Sequence, residues 1–330
     1  MSDPKSMWRA ARNPPADPTN LSFTGKAVLV TGANSGLGLA AAIKYAAQGA
    51  SPLILGVRSL EKGERAKAAI MKTARVQESI FVVLTVNLAS FASVRDFARA
   101  VSERVPRLHV VQLAGGVAKV NYEPTADGYE SALQVDALSP GILGLLLLPK
   151  LRETAASLPG SESVHMSFVN SVAHQEVKVA DLAPDQSLIQ RANDQEKFDF
   201  QKQYFLVKLV AWFMTKGVAE WVAPAEKSRI VVNANCPGLC KTNMLHELPL
   251  AASLAMSATY FIMGRTSEQG ARTMVSATGL GPDSHGKFWT NDAYPPPSEL
   301  LASERGTSLY KETWNEALDI FRKHLGPDIV

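Results

Sequence analysis

The sequence predicts a doubly wound α/β fold, a largely parallel sheet with helices on both faces. Three observations predict it. From Lys26 onward, short apolar runs alternate with longer amphipathic ones. Runs such as Ala27-Val28-Leu29-Val30 are continuously apolar rather than alternating, which suits parallel strands covered on both sides. Repeated strand–helix units joined by right-handed crossovers give this sheet.

Taken in order, residues 1–22 read as a flexible, polar arm with Pro4, Pro14, Pro15 and Pro18 and no apolar stretch of the kind a secretory signal carries. Strands are expected at 27–31, 52–57, 80–86, 108–113, 163–170, 229–235 and 286–290. Helices are expected at 36–48, 59–73, 90–105, 126–149, 199–222 and 267–278, with another near 305–325. Ser90, Asp127 and Ser267 stand where N-caps belong. The polar stretch 174–198 is the largest candidate insertion. No linker divides the chain, so residues 23–330 read as a single domain.

The composition excludes several classes. A 330-residue chain that is 46% hydrophobic and 20% charged can bury a sizeable core. A net charge of +3 with no long Lys/Arg run gives nucleic acid no footing. Cys236 and Cys240 are the two cysteines. They exclude a disulfide framework and read as intracellular, with a cytoplasmic location expected. No histidine or second cysteine pair stands at ligand spacing, so no metal site is expected. Residues 142–148 are too few to span a bilayer, and 250–263 are also short and hold Ser253, Ser257 and Thr259. No integral membrane segment is expected.

The chemistry starts after the first strand, at Thr31-Gly32-Ala33-Asn34-Ser35-Gly36-Leu37-Gly38. Glycines permit a tight turn and close backbone approach to a pyrophosphate, and the following helix start presents free N–H groups. Three glycines alone also fit an ordinary β–α turn; the strand before and helix after favour the cradle. The second strand ends in Leu55-Gly56-Val57-Arg58, with Lys62 a turn later. An acidic residue there would bond a ribose 2′-hydroxyl, whereas a cation accommodates a 2′-phosphate, so NADP (NADPH) is the expected cofactor. A solvated surface arginine is the plainer alternative.

Tyr204 and Lys208 are four apart in the expected helix 199–222, which puts them on one face. A free tyrosine titrates near ~10, too high for efficient proton exchange at neutral pH, and a neighbouring ammonium favours the phenolate. Ser171 follows the fifth strand, where its hydroxyl can bond a substrate oxygen; it also reads as a strand-ending turn serine.

In this order, and with Pro237-Gly238 and Thr242 after the sixth strand, these motifs resemble the short-chain dehydrogenase/reductase family over about residues 24–290. Leu145 to Leu151, Cys236 to Thr242 and Ser284-His285-Gly286-Lys287 add a likeness to fungal secondary-metabolism reductases and to the retinol-dehydrogenase-like branch. The resemblance implies a Rossmann-type, seven-stranded parallel sheet. It implies that Ser171, Tyr204 and Lys208 are catalytic, with Lys208 also bonding the nicotinamide ribose. Gly32, Ser35, Gly36, Leu37 and Arg58 would contact the dinucleotide, with Gly38 in the same turn. The loop from Pro237 and Gly238 to Thr242 would approach the nicotinamide carboxamide.

Three positions depart from the family pattern. Ala114-Gly115-Gly116 stands where the family has Asn-Ala-Gly, and the missing amide should loosen the cofactor floor. Asp136 replaces the asparagine that completes the family's catalytic set; its carboxylate is free to pair with Lys208 and alter the pH profile. Asn87 replaces an aspartate beside the adenine, a mild change.

Val177, Val179, Leu182, Leu188 and Ile189, with the Met- and Leu-rich run from Met244 to Met263, fit a bulky hydrophobic substrate or, equally, core and interface packing. His174 reads as a satisfied loop histidine. The resemblance suggests a homodimer through helices 126–149 and 199–222, which the Leu145–Leu148 run would suit. The expected activity is interconversion of a carbonyl and an alcohol. The alternatives are non-redox chemistry on the same scaffold and a catalytically silent interaction protein.

Overall fold

The computed structural model describes residues 4–182, 186–222, 229–241 and 263–327. After helix α1 (Pro4–Arg12), the strands and helices run β1 (Val28–Thr31), α2 (Gly36–Ala47), β2 (Leu53–Val57), α3 (Leu60–Ala74), β3 (Phe81–Thr85), α4 (Phe91–Arg104) and β4 (Val110–Leu113). There follow α5 (Ser131–Leu133), a π-helical turn (Gln134–Leu138), α6 (Ser139–Ser157), β5 (Val164–Val169), α7 (Leu188–Ala192), α8 (Phe200–Trp221) and β6 (Ile230–Cys236). Last come α9 (Ser267–Ala277), β7 (Phe288–Thr290), α10 (Glu299–Ala302) and α11 (Glu304–Leu325).

The seven strands form one sheet in the order β3-β2-β1-β4-β5-β6-β7, and each neighbouring pair is parallel. The direction of winding reverses between β1 and β4. That reversal opens a crevice at the carboxyl ends of the strands. Side chains alternate across β1: Val28 and Val30 join the core under α2 and α9, whereas Leu29 faces the core shared by α4, α6, α8 and α11. Both sides are therefore dry, which is why the strands read as unbroken apolar runs.

The expected seven strands appear, each within a residue or two of its anticipated bounds. Two caps differ. The helix expected from 126 starts at Ser131, capped by Glu130, which accepts from Ala132 N at 3.0 Å and Leu133 N at 2.8 Å. Asp127 serves the neighbouring helix instead, accepting from Phe91 N at 2.8 Å at the start of α4. Thr266, not Ser267, caps α9. Its hydroxyl accepts from Gln269 N while the Gln269 side chain accepts from Thr266 N, closing a capping box.

Residues 1–22, expected as a flexible arm, contain α1. The segment is tied down by Lys44 Nζ to Asp17 Oδ1 at 2.7 Å, Gln48 Nε2 to Pro18 O at 2.6 Å and Arg272 to Pro15 O at 3.2 Å. Four prolines obscured a helix that starts at one of them, where a proline costs nothing. The segment Ser131–Ser157 is long and apolar enough to cross a membrane, yet 83% of its most apolar window is buried inside the protein, as in a core helix. Leu145, Leu147 and Leu148 are likewise buried within the chain, so their burial needs no second copy.

Candidate active site

The glycine-rich turn is shaped by backbone crowding. Gly32 has φ +67°, and a Cβ there would lie 2.8 Å from Gly115 Cα. A Cβ on Gly38 would lie 2.3 Å from Gly32 O. Only glycine lets the turn fold on itself and meet the segment after β4. Ser35 is the N-cap of α2 but makes no side-chain capping bond. The first N–H groups of α2 thus lack a side-chain cap and make a cradle suited to phosphate, with the exposed Ser35 at its edge, and a dinucleotide fits these residues. Leu37 flanks the same turn.

Beside this cradle, a hydroxyl reaches across where the absent asparagine would stand. The Thr31 hydroxyl, at the end of β1, accepts from Ala114 N at 3.0 Å and from Gly115 N at 3.3 Å. A threonine thus ties the two strand ends that the family's amide was expected to join. Arg58 is exposed directly after β2, and Asn87 is exposed after β3 with its Oδ1 accepting from Ala89 N at 3.1 Å. Both lie at the carboxyl edge of the sheet, on the β1 side of the crevice.

Across the crevice, β5 delivers Asn170 and Ser171. Asn170 Nδ2 donates to Lys208 O at 3.3 Å, and Asn170 Oδ1 accepts from Ser171 N at 2.7 Å. One buried amide therefore fixes the end of β5 against α8. Ser171 is half-buried and caps the next turn, its Oγ accepting from Ala173 N at 3.2 Å. Tyr204 is half-buried on the Lys208 face of α8, and Lys208 Nζ lies 5.5 Å from the centre of its ring.

A buried ion pair joins Lys208 Nζ to Asp136 Oδ2 at 2.7 Å, with side-chain exposures of 8% and 2%. Asp136 sits in the π-helical turn, and its other oxygen accepts from Val117 N at 2.8 Å. A π turn re-aims side chains within an otherwise regular helix and recurs at functional sites. Burial acts to lower the basicity of Lys208, but the Asp136 carboxylate, together with Tyr204 and Cys236, outweighs it and the net shift is upward. Lys208 is held as an ammonium.

The loop after β6 carries Pro237 and Gly238. Gly238 has φ +79°, and a Cβ there would lie 2.9 Å from an Arg265 nitrogen. Thr242 and the run 244–262 lie outside the described residues. Burial pushes the Cys240 thiol up to about 12, so it stays protonated at neutral pH. His174 is buried between Trp212 and Phe288 and contacts Ser171 O through Nδ1 at 2.7 Å. Burial lowers its pKa to about 4 despite that contact, so the ring is neutral. Val177, Leu188 and Ile189, expected as substrate lining or core, are core residues, Leu182 packs partly buried against that core, and Val179 is exposed.

Two groups escaped the sequence reading. Glu130 is fully buried, and besides capping α5 it accepts from Gln203 Nε2 at 2.9 Å, immediately before Tyr204. Gln203 Nε2 also donates to Ala192 O at 2.7 Å, and Asn193 Oδ1 accepts from Glu130 N at 2.6 Å. The insertion before α8 is stapled to the helix that bears Asp136. The second is Arg265, 2% exposed. A Glu or Arg followed by helix-like sequence carries no local sign of such long-range partners.

Comparison with known proteins gives this arrangement a family. The model for short chain dehydrogenase matches residues 26–157. The chain is 40% identical to the short-chain dehydrogenase/reductase ffsI of Aspergillus flavipes, over 98% of this chain and 93% of that protein. It is 38% identical to the short-chain dehydrogenase/reductase phmF of Phaeosphaeria nodorum, over 98% and 94%. Its fold is similar to that of the NADPH-bound carbonyl reductase from chicken fatty liver, with a TM-score of 0.61 and 20% identity, covering 85% and 98%. The chain belongs to the short-chain dehydrogenase/reductase family. Within it, the protein is an oxidoreductase with a Rossmann-like seven-stranded sheet.

Proposed function

We propose that the protein is an NADP(H)-dependent oxidoreductase that interconverts a carbonyl and an alcohol on a bulky hydrophobic small molecule, in secondary metabolism and in the cytoplasm. The observation that carries this reading is the buried Lys208–Asp136 pair, one helical turn past Tyr204 and braced through Asn170 to Ser171. A retired site has no physical need for a desolvated ammonium beside a phenol.

The nicotinamide would supply or accept the hydride. Tyr204 donates the proton to the nascent alkoxide in reduction and takes it back in oxidation. Lys208 stabilises the phenolate form, and Asp136 keeps Lys208 charged and aimed. The Ser171 hydroxyl holds the substrate oxygen. Gly32, Ser35, Gly36, Leu37 and Gly38 would hold the pyrophosphate, Lys208 the nicotinamide ribose, and Asn87 the adenine side. Pro237, Gly238 and Thr242 would border the nicotinamide.

NADP is favoured over NAD because Arg58 is exposed where the adenosine ribose belongs, and Asp or Glu does not follow β2. The related carbonyl reductase fold carries NADPH. The apolar substrate class rests on the composition of 244–263. The test is consumption of NADPH against NADH over a panel of lipophilic ketones and aldehydes. Substrate-dependent NADPH oxidation is expected; no turnover with either nucleotide across the panel contradicts the reading.

A further inference from the structure

The guanidinium of Arg265 is the meeting point of three distant segments. Nε and one terminal nitrogen donate to Ala10 O at 3.0 and 2.7 Å. That same nitrogen donates to Asn291 Oδ1 at 2.5 Å, and the other donates to Pro237 O at 3.2 Å. The backbone adds a second grip, with Arg265 N donating to Leu239 O at 2.8 Å and Lys241 N donating to Arg265 O at 2.9 Å. The loop from Pro237 to Lys241 is thus held from both the side chain and the main chain of one residue.

Each partner has a physical reason to be there. Ala10 lies in the last turn of α1, where carbonyls lack intrahelical donors and the helix dipole is negative. A buried guanidinium satisfies both conditions. Asn291 and Asp292 form a tight turn after β7, both with positive φ. The arm reaches that turn a second time, through Ala16 N to Asp292 Oδ2 at 3.3 Å. The loop also borders the glycine cradle: a Cβ on Gly270 would lie 2.4 Å from Cys240 Sγ, 2.7 Å from Leu37 and 3.2 Å from Pro237. The loop and the glycine turn thus meet at Gly270.

We infer that Arg265 is a positioning residue for the nicotinamide half of the cofactor, and that α1 is part of the same device through the Ala10 carbonyl. This rests on the reading of the crevice as an NADP site. Arg265 touches no reacting atom. It sets where the Pro237–Gly238 backbone stands, and it does so only while α1 is docked.

The experiment compares two ligands on the full-length protein: NADPH, and adenosine 2′,5′-bisphosphate, which lacks the nicotinamide half. Titrations are run on the wild type, Arg265→Lys, Asn291→Ala and Ala10→Pro. Lysine keeps the charge but not the fork of donors. Ala10→Pro disturbs the helix turn that presents the carbonyl and leaves the loop residues intact. The NADPH dissociation constant should rise by about tenfold in Arg265→Lys and about threefold or more in the other two, as loss of one or two such bonds implies. Binding of the bisphosphate should stay within about twofold of the wild type in all three. Should Arg265→Lys fail to fold, Asn291→Ala and Ala10→Pro carry the same expectation. Equal weakening of both ligands, or unchanged NADPH binding in the folded variants, overturns the positioning role. A wild type that binds neither ligand overturns the NADP reading itself, and this inference with it.

Discussion

Lys208 Nζ and Asp136 Oδ2 lie 2.7 Å apart, and both side chains are closed off from solvent. One comes from α8 and the other from the π-helical turn before α6, so the pair joins two helices beside the crevice. A buried ion pair is weak evidence of added stability, since desolvation offsets its attraction, but removing one partner leaves a stranded charge. Its value here is to keep an ammonium beside Tyr204.

Replacing that carboxylate has a consequence with a sign. In the wild type the Lys208 pKa is raised above the ordinary 10.5. Such a group adds stability that is complete below its unfolded pKa and is lost as pH climbs through the folded value. In Asp136→Asn the burial of Lys208 acts with its main opponent gone, and its pKa falls. The variant should then gain stability as pH rises toward 10.5, the opposite slope. Chemical denaturation across pH measures both, and at pH ~7 the variant should be less stable by about 3–5 kcal/mol. Parallel slopes would refute the assigned charge state.

The proposed preference for NADP rests on Arg58, exposed directly after β2. Arg58→Asp removes a guanidinium suited to a phosphate and places a carboxylate where a ribose diol can bond it. The ratio of catalytic efficiencies with NADPH and NADH should fall by about tenfold to a hundredfold, with NADH spared or improved. An unchanged ratio would leave Arg58 as a solvated surface residue.

Gly38 carries the steric demand of the cradle. In Gly38→Ala the new methyl would start 2.3 Å from Gly32 O, a backbone atom that cannot swing aside. Nucleotide affinity should drop by at least about tenfold, and stability by about 1–3 kcal/mol, as expected of a displaced tight turn. Isothermal titration and thermal unfolding check the two effects separately.

Gln203 tests the brace behind Tyr204. Gln203→Leu leaves Glu130 Oε2 and Ala192 O without their shared buried donor. The loss should be about 1–3 kcal/mol, chiefly for the stranded Ala192 carbonyl because Glu130 Oε2 keeps the Leu133 N–H, and is read by urea unfolding. Turnover should fall as well, because the neighbouring Tyr204 and the insertion before α8 are released together. Full activity in this variant would show that the staple supports the fold alone.

The strands and most helices were legible because burial on two faces writes itself as apolar runs, as in Val28–Thr31. Placement set by local spacing was equally legible: the glycine turn after β1, Ser171 at the end of β5, and Tyr204 with Lys208 on one face of α8. The link between Asp136 and Lys208 was foreseen only as an option, because 72 residues separate them and a π turn sets the aim. Arg265 could not be read at all. Its partners include main-chain carbonyls as far as 255 positions away, and a carbonyl leaves no trace in side-chain identity. Thr31 taking over the tie at Ala114 escaped for the same reason, since the atoms it holds are backbone amides. For the hydrophobic residues of 177–189 the choice between lining and core stayed open, because the two share one composition, and the structure puts Val177, Leu188 and Ile189 in the core.

Single-turnover hydride transfer in Tyr204→Phe probes the proposed proton donor most directly. The enzyme is loaded with NADPH, binding is recorded by cofactor fluorescence, and a carbonyl substrate accepted by the wild type is then added. NADPH should bind the variant within about twofold of normal, while the oxidation rate falls by at least about a hundredfold, as loss of a general acid requires. Oxidation at an undiminished rate with the phenol gone would contradict the role given to Tyr204, and with it the chemistry proposed for this crevice.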